Sequence, residues 1–252
     1  MTVSTSGAWF ATNFSPCVTV AVEYTVVTED HPNMEERLRR MTAPLRTVAL
    51  LCREPGLLVL DALMSCPKVK PVLVLTHRTL PKAEGGGVRP ELAEYERMCK
   101  GRVPLMEIDP PSAKSFAVPP GADLLISLSW RAVVDERCLS KFRHTINIHR
   151  GELPRYAGAE PVRRALEAGE KRVAITAHRM VAEVDAGPEI ARVWHDVGGE
   201  TDPERVKRNM YPLYAPLALA AIEAVTCARM QPEPPRVLVD KDPTWDGNGV
   251  VD

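Results

Sequence analysis

From Arg46 onward the sequence alternates short apolar runs with helical patterns, and this alternation constrains the fold more than any other feature. RTVALLC reads as a strand, GLLVLDALMSC as a helix, KPVLVLT as a second strand and PELAEYERMCK as a second helix. Helices inserted between short apolar strands carry the chain back to the same sheet edge, so the strands run parallel. VPLMEI (Val103 to Ile108) and the buried-looking run ADLLISLS (Ala122 to Ser129) continue the series, followed by the helical VVDERCLSKF and the strand HTINIH. Five strands with crossover helices predict an α/β fold, a Rossmann-like, mostly parallel sheet with flanking helices.

Beyond that sheet the grammar changes. AEPVRRALEAG reads as a helix ending at Gly169, and RVAITAHRMVAEVDAGPEIARVWHDV as two strands joined through the turn Asp185 to Gly187. TDPERVKRNMYPLYAPLALAAIEAV is expected to be one helix, capped by Thr201 or Asp202, with Pro203 in its first turn and a kink near Pro212. Residues 1–44, rich in Ser, Thr and Val, form an N-terminal extension of unassigned role; 45–230 form the folded domain; 231–252 are a proline-rich tail.

Charge and cysteine usage narrow the function. Lys and Arg number 32 against 33 Asp and Glu, a net charge of −1, so no global positive field gathers polyanions and nucleic acid is not an expected partner. The six cysteines are dispersed, without a CxxC pair or zinc spacing, which fits a reducing compartment and no structural metal. The early stretch CVTVAVEYTVV has no basic residue before it and no run is long enough to span a bilayer, so a cytoplasmic protein without membrane attachment is expected.

Several familiar sites are missing. GGG at 85–87 lacks the G-x-G-x-x-G spacing, and the exit of the first strand, LLCREPG, lacks a glycine fingerprint, so a bound dinucleotide is not expected. No G-x-S-x-G elbow occurs and no cysteine has a catalytic context. Lone histidines such as His77, His144 and His195 read as structural or exposed. What remains is a convergence of segments. Asn147 and His149 alternate on one strand and therefore share a face; Thr176 and His178 do the same in ITAH; Asp185 lies in the turn that follows. An amide, imidazoles and a carboxylate can then meet over one sheet.

NIHRGELPRYAGAEPVRRALEAGEKRVAITAHRMVAEVDAGPEI resembles the signature of the 10-formyltetrahydrofolate-dependent formyltransferases: N-x-H with a Leu-Pro loop (Leu153-Pro154), then T-x-H, then D-x-G. SWRAVV (Ser129 to Val134) is similar to that family's folate-contacting loop. The resemblance spans roughly Arg46 to the 220s. It implies catalytic roles for Asn147, His149 and Asp185, with Asn147 and a protonated His149 as donors to the developing oxyanion. Asp185 is implied as the acid/base relay, and whether it or His149 removes the amine proton stays open. The implied donor is 10-formyltetrahydrofolate, without a metal, its pterin held by Leu128, Trp130, Arg131, Val133, Val181 and Val184.

The acceptor is expected where the chain departs from its relatives. Arg150, Gly151 and Glu152 stand where Pro-Ser-Leu is common, and Arg172 to Ala174 replace a usual glycine before T-x-H. By elimination the resemblance points to the sugar N-formyltransferases, of GDP-perosamine or dTDP-amino-sugar type. Their acceptor is a nucleotide-linked amino deoxysugar for O-antigen or related glycans. Arg78 and Lys82 would then meet the diphosphate, while Arg150, Glu152, Tyr156 and His178 line the sugar pocket. Methionyl-tRNA or glycinamide ribonucleotide as acceptor, or a non-catalytic folate- or nucleotide-binding module, are the alternatives, and a homodimer stays open.

Overall fold

The computed structural model describes residues 43–110 and 112–227. Nearly all of the expected N-terminal extension, and the whole tail 231–252, lie outside the described residues. The apolar runs form the strands β1 (Leu45–Leu51), β2 (Val69–Thr76), β3 (Leu105–Glu107), β4 (Leu124–Leu128) and β5 (His144–His149). They pair in parallel in the order β3-β2-β1-β4-β5. The expected hairpin, β6 (Arg172–Arg179) and β7 (Glu189–Asp196), extends the sheet antiparallel from β5. The fold is therefore the expected Rossmann-like α/β sheet, seven strands wide.

Helices α1 (Arg53–Ser65) and α2 (Leu92–Cys99) cross between the first three strands, and α4 (Pro161–Glu167) links β5 to β6. The crossover from β4 to β5 is shorter than the sequence suggests. Only one turn, α3 (Glu136–Leu139), is helical, with the Asp135 side chain accepting the Cys138 N–H at 2.8 Å. The preceding residues, 129–134, are drawn instead along the wall of a cavity. The expected kinked helix is divided into α5 (Pro203–Asn209), capped by Asp202, and α6 (Tyr211–Cys227). The break falls just before Pro212, which has no N–H to give the Arg208 carbonyl and whose ring clashes with a continuing turn. Placed in the first turn of α6, the same proline costs nothing.

Strand alternation divides the molecule into two apolar layers. Ile146 and Ile148 of β5, with Val173, Ile175 and Ala177 of β6, face α1, α4, α5 and α6 in one continuous core. Val48, Leu50, Leu73, Leu75 and Leu125 face the opposite side, where Phe116, Val134, Leu139 and Phe142 cover them. Each such side chain fully removed from water contributes about 1.5–3 kcal/mol of transfer free energy. The second layer stops at β4. Over β5 and β6 the same side of the sheet carries Asn147, His149, Thr176 and His178 instead.

Candidate active site

The antiparallel register puts Asn147 opposite His178 and His149 opposite Thr176. Directly opposed residues of an antiparallel pair share a face, so four polar side chains form a square on β5 and β6. Ordinary core cannot sit on such a square. The segment 180–188 closes over it and brings Asp185 down from above, with its backbone in the left-handed region at φ 56°. Gly187 makes this return possible: a Cβ there would lie 1.7 Å from the Arg179 carbonyl oxygen.

Asp185 is nearly buried, its side chain 8% exposed, and both oxygens are engaged. Oδ2 accepts the Gly158 N–H at 2.9 Å and stands 3.2 Å from His149 Nδ1. Oδ1 lies 3.4 Å from His178 Nε2 and from the Asn147 amide nitrogen. Burial works against ionising Asp185. The adjoining His178 and His149 imidazoles and the Gly158 N–H outweigh that, and its carboxyl is held below the usual range.

The two imidazoles have distinct hydrogen-bond roles. His178 Nδ1 donates to the Arg179 carbonyl at 3.0 Å, which leaves Nε2 to accept from Asn147 Nδ2 at 3.0 Å. That bond and the Asp185 oxygen fix which end of the Asn147 amide is the donor. His149 Nε2 donates to the Tyr156 carbonyl at 2.8 Å, so its Nδ1 faces Asp185. Burial pushes the His149 imidazole down, against the Asp185 charge and the Tyr156 carbonyl, which favour protonation. Between Nδ1 and Oδ2 the pair thus presents two adjoining acceptor positions, ready to share one added proton.

Beside this cluster opens a cavity of about 460 Å³. Leu128, Trp130, Arg131, Val133, Val181 and Val184 all line it, together with Val134, Leu139 and Met180. Val133, Val181 and Val184 are 51%, 39% and 57% exposed, apolar surface gathered at one mouth where a flat ring system would cover it. Trp130 is fixed from behind, stacked on His77 with ring centroids 4.0 Å apart and donating to the Ala113 carbonyl. The Arg131 guanidinium is turned toward Asp109 and the Thr79 carbonyl.

The sequence-based acceptor residues divide. Arg150 and His178 line the cavity; Arg78, Lys82, Glu152 and Tyr156 do not. Arg78 pairs with Glu107 at the end of β3, and Lys82 begins a 3-10 turn in the loop after β2. Glu152 faces Arg155 and Arg192, and the Tyr156 hydroxyl turns to Glu170, leaving only its carbonyl on His149. Glu160 and Lys207 line the cavity without having stood out in the sequence, beside Ser129 of the SWRAVV stretch. Among the described residues no group of three or more His, Cys, Asp and Glu side chains could hold a metal ion, and no helix is long and apolar enough to cross a membrane.

Residues 110–213, which include the whole cluster, match the family described as Formyl transferase. The methionyl-tRNA formyltransferase of Thermotoga neapolitana is 38% identical over 119 residues, covering 46% of this chain and 38% of that protein. That of Stutzerimonas stutzeri is 27% identical over 197 residues, covering 77% and 62%. The chain thus spans well under two thirds of the length of the first of these relatives. Among solved structures, glycinamide ribonucleotide transformylase 1 from Symbiobacterium toebii shares the fold with a TM-score of 0.57 at 22% identity, over 74% of this chain and 89% of that one. A formyltetrahydrofolate deformylase from Pseudomonas syringae pv. tomato shares it with a TM-score of 0.57 at 19% identity, over 74% and 62%. None of these relatives is named a sugar N-formyltransferase, so the nucleotide-sugar acceptor expected by elimination finds no support among them. The site-bearing segment is thus similar to formyl transferases, and the solved structures share its fold.

Proposed function

We propose that this protein transfers the formyl group of 10-formyltetrahydrofolate to a primary amine. The observation that carries the reading is the Asn147–His149–Asp185 cluster, which opens on an apolar cavity suited to a pterin. When bound, the folate supplies the activated formyl carbon. Attack by the amine forms the new C–N bond and places negative charge on the formyl oxygen, which needs donors in a site from which water is excluded. The Asn147 amide supplies one by exchanging its long 3.4 Å contact with Asp185 for the oxyanion, while its bond to His178 holds it in place.

The amine must lose a proton and the departing folate nitrogen must gain one. The His149–Asp185 pair takes up the first between Nδ1 and Oδ2. The imidazolium so formed places a positive charge beside the oxyanion, and the pair returns the proton as the C–N bond to the folate breaks. Because burial keeps His149 neutral before attack, the pair starts in its proton-accepting form.

The acceptor to test first is methionyl-tRNA, the substrate in the names of the curated relatives, with glycinamide ribonucleotide beside it and a GDP-linked amino sugar as contrast. Purified protein is incubated with 10-formyltetrahydrofolate and each amine, and a mass gain of one formyl group on an acceptor is expected. Asn147→Ala and His149→Ala are each expected to lower kcat by about a hundred- to a thousandfold. Full activity in both variants would sink the mechanism, and no formylation of any amine would sink the activity.

A further inference from the structure

Three cationic side chains line the cavity: Arg131, Arg150 and Lys207. Arg131 is paired with Asp109 at 3.2 Å, and Lys207 donates to Glu160 and Glu204. Among the described residues Arg150 forms no ion pair, although its charge and that of Glu160 on the same cavity act on each other. Its Nε donates to the Tyr214 hydroxyl at 2.7 Å and one terminal nitrogen donates to the Ser129 hydroxyl at 3.3 Å. Both acceptors are neutral, and both are rigidly placed. Tyr214 is fully buried in α6, and Ser129 is held in the left-handed region at φ 57° where β4 ends.

A guanidinium has five N–H donors in a fixed planar fork. Two are spent on Tyr214 and Ser129, which lock the plane and leave the remaining edge for the cavity. A cation hydrogen-bonded to neutral groups keeps its charge less compensated than one in an ion pair, and its orientation is set on folding. This is the arrangement that binds a bidentate oxyanion well. It also sits one residue beyond His149, so whatever it holds lies next to the reacting centre.

We propose that Arg150, oriented by Tyr214 and Ser129, forms an acceptor-side subsite for an anionic oxygen group, a phosphate or a carboxylate, carried by the amine that is formylated. The inference rests on the formyl-transfer reading for its biological meaning but not for its test. Lys207, which lines the same cavity, adds a second cation whose charge Glu160 and Glu204 already balance, so the subsite suits one anionic group better than a cluster of them.

The test is calorimetric titration of the full chain, without folate, using inorganic phosphate as one probe and acetate as the other. Saturable binding of at least one is expected, and tighter binding of phosphate or of acetate identifies which oxyanion the subsite prefers. Arg150→Gln should weaken that binding by about ten- to a hundredfold, the loss of charge-assisted hydrogen bonds. Arg150→Lys should recover part of it, and Tyr214→Phe should weaken it severalfold by freeing the fork. Circular dichroism checks that each variant is folded. Binding of both probes by folded Arg150→Gln as tight as by the unaltered protein, or no binding by the unaltered protein, would overturn the subsite. If binding depends on Arg150 but no amine is formylated, the activity fails and the subsite stands.

Discussion

His77 and Asp185 illustrate how differently two buried titratable side chains can be used. His77 is fully buried where β2 ends, donates from Nδ1 to the Ile108 carbonyl and accepts the Arg131 N–H on Nε2. It joins β2, the exit of β3 and the cavity wall as a neutral ring, and burial pulls its pKa from 6.5 to about 4, with the Arg131 and Arg89 charges adding to the effect. Since the folded state disfavours the proton, the stability His77 contributes is complete above pH 6.5 and is lost as pH falls toward about 4. Across that window the gap in melting temperature between the unaltered protein and His77→Gln should narrow. A gap that stays constant from pH 7 to 4.5 would show that the neutral ring is not what holds the wall. Sequence reading grouped His77 with the structural or exposed histidines, and its place beneath Trp130 was invisible because the partners are backbone atoms of distant segments. The same limit explains Tyr156, whose carbonyl, not its side chain, touches His149. Asn147, His149 and Asp185 were legible because strand alternation fixes the first two and the D-x-G turn the third.

At the scale of elements, the site depends on the β6–β7 hairpin as much as on β5. Asp185 reaches the square only because the segment after β6 doubles back over the sheet, and Gly187 is the residue that lets it pass the Arg179 carbonyl. Gly187 is not in the left-handed region, so the demand is for space alone, and alanine has no way to meet it without moving the backbone. Gly187→Ala should therefore displace Asp185, lowering formyl transfer at least tenfold and stability by about 1–3 kcal/mol, the usual cost of forced overpacking. The readouts are kcat and the denaturant midpoint; unchanged values in both would mean that the turn adapts freely. The strand and hairpin positions could be read from apolar runs and turn chemistry. The single-turn crossover α3 could not, because helical periodicity in VVDERCLSKF does not reveal that residues 129–134 are committed to the cavity wall. Loop charges fared likewise. Arg78 and Lys82 follow β2 as a phosphate pair would, yet Arg78 is taken up by Glu107, a pairing fixed by the sheet order rather than by local sequence.

For the molecule as a whole, a seven-stranded sheet keeps one side for helices and gives up the far end of the other to chemistry. Its charge is arranged as sparingly: 32 basic against 33 acidic residues leave a net charge of −1, and most cations around the cavity are already paired. Such a net charge gives little long-range pull on a polyanion. This makes ionic strength a test of how the acceptor is held, whichever amine proves active. Recognition through the fork of Arg150 predicts that the logarithm of acceptor affinity falls with the logarithm of salt concentration with a slope of about −1 or shallower. A tRNA held through six to ten phosphates would instead lose about a thousand- to a hundred-thousandfold in affinity between 50 and 200 mM salt. Measuring the acceptor dissociation constant across that range separates the two. A steep slope would mean that the acceptor is held through many phosphates, and a shallow one that disappears in Arg150→Gln would assign the remaining charge dependence to that one side chain.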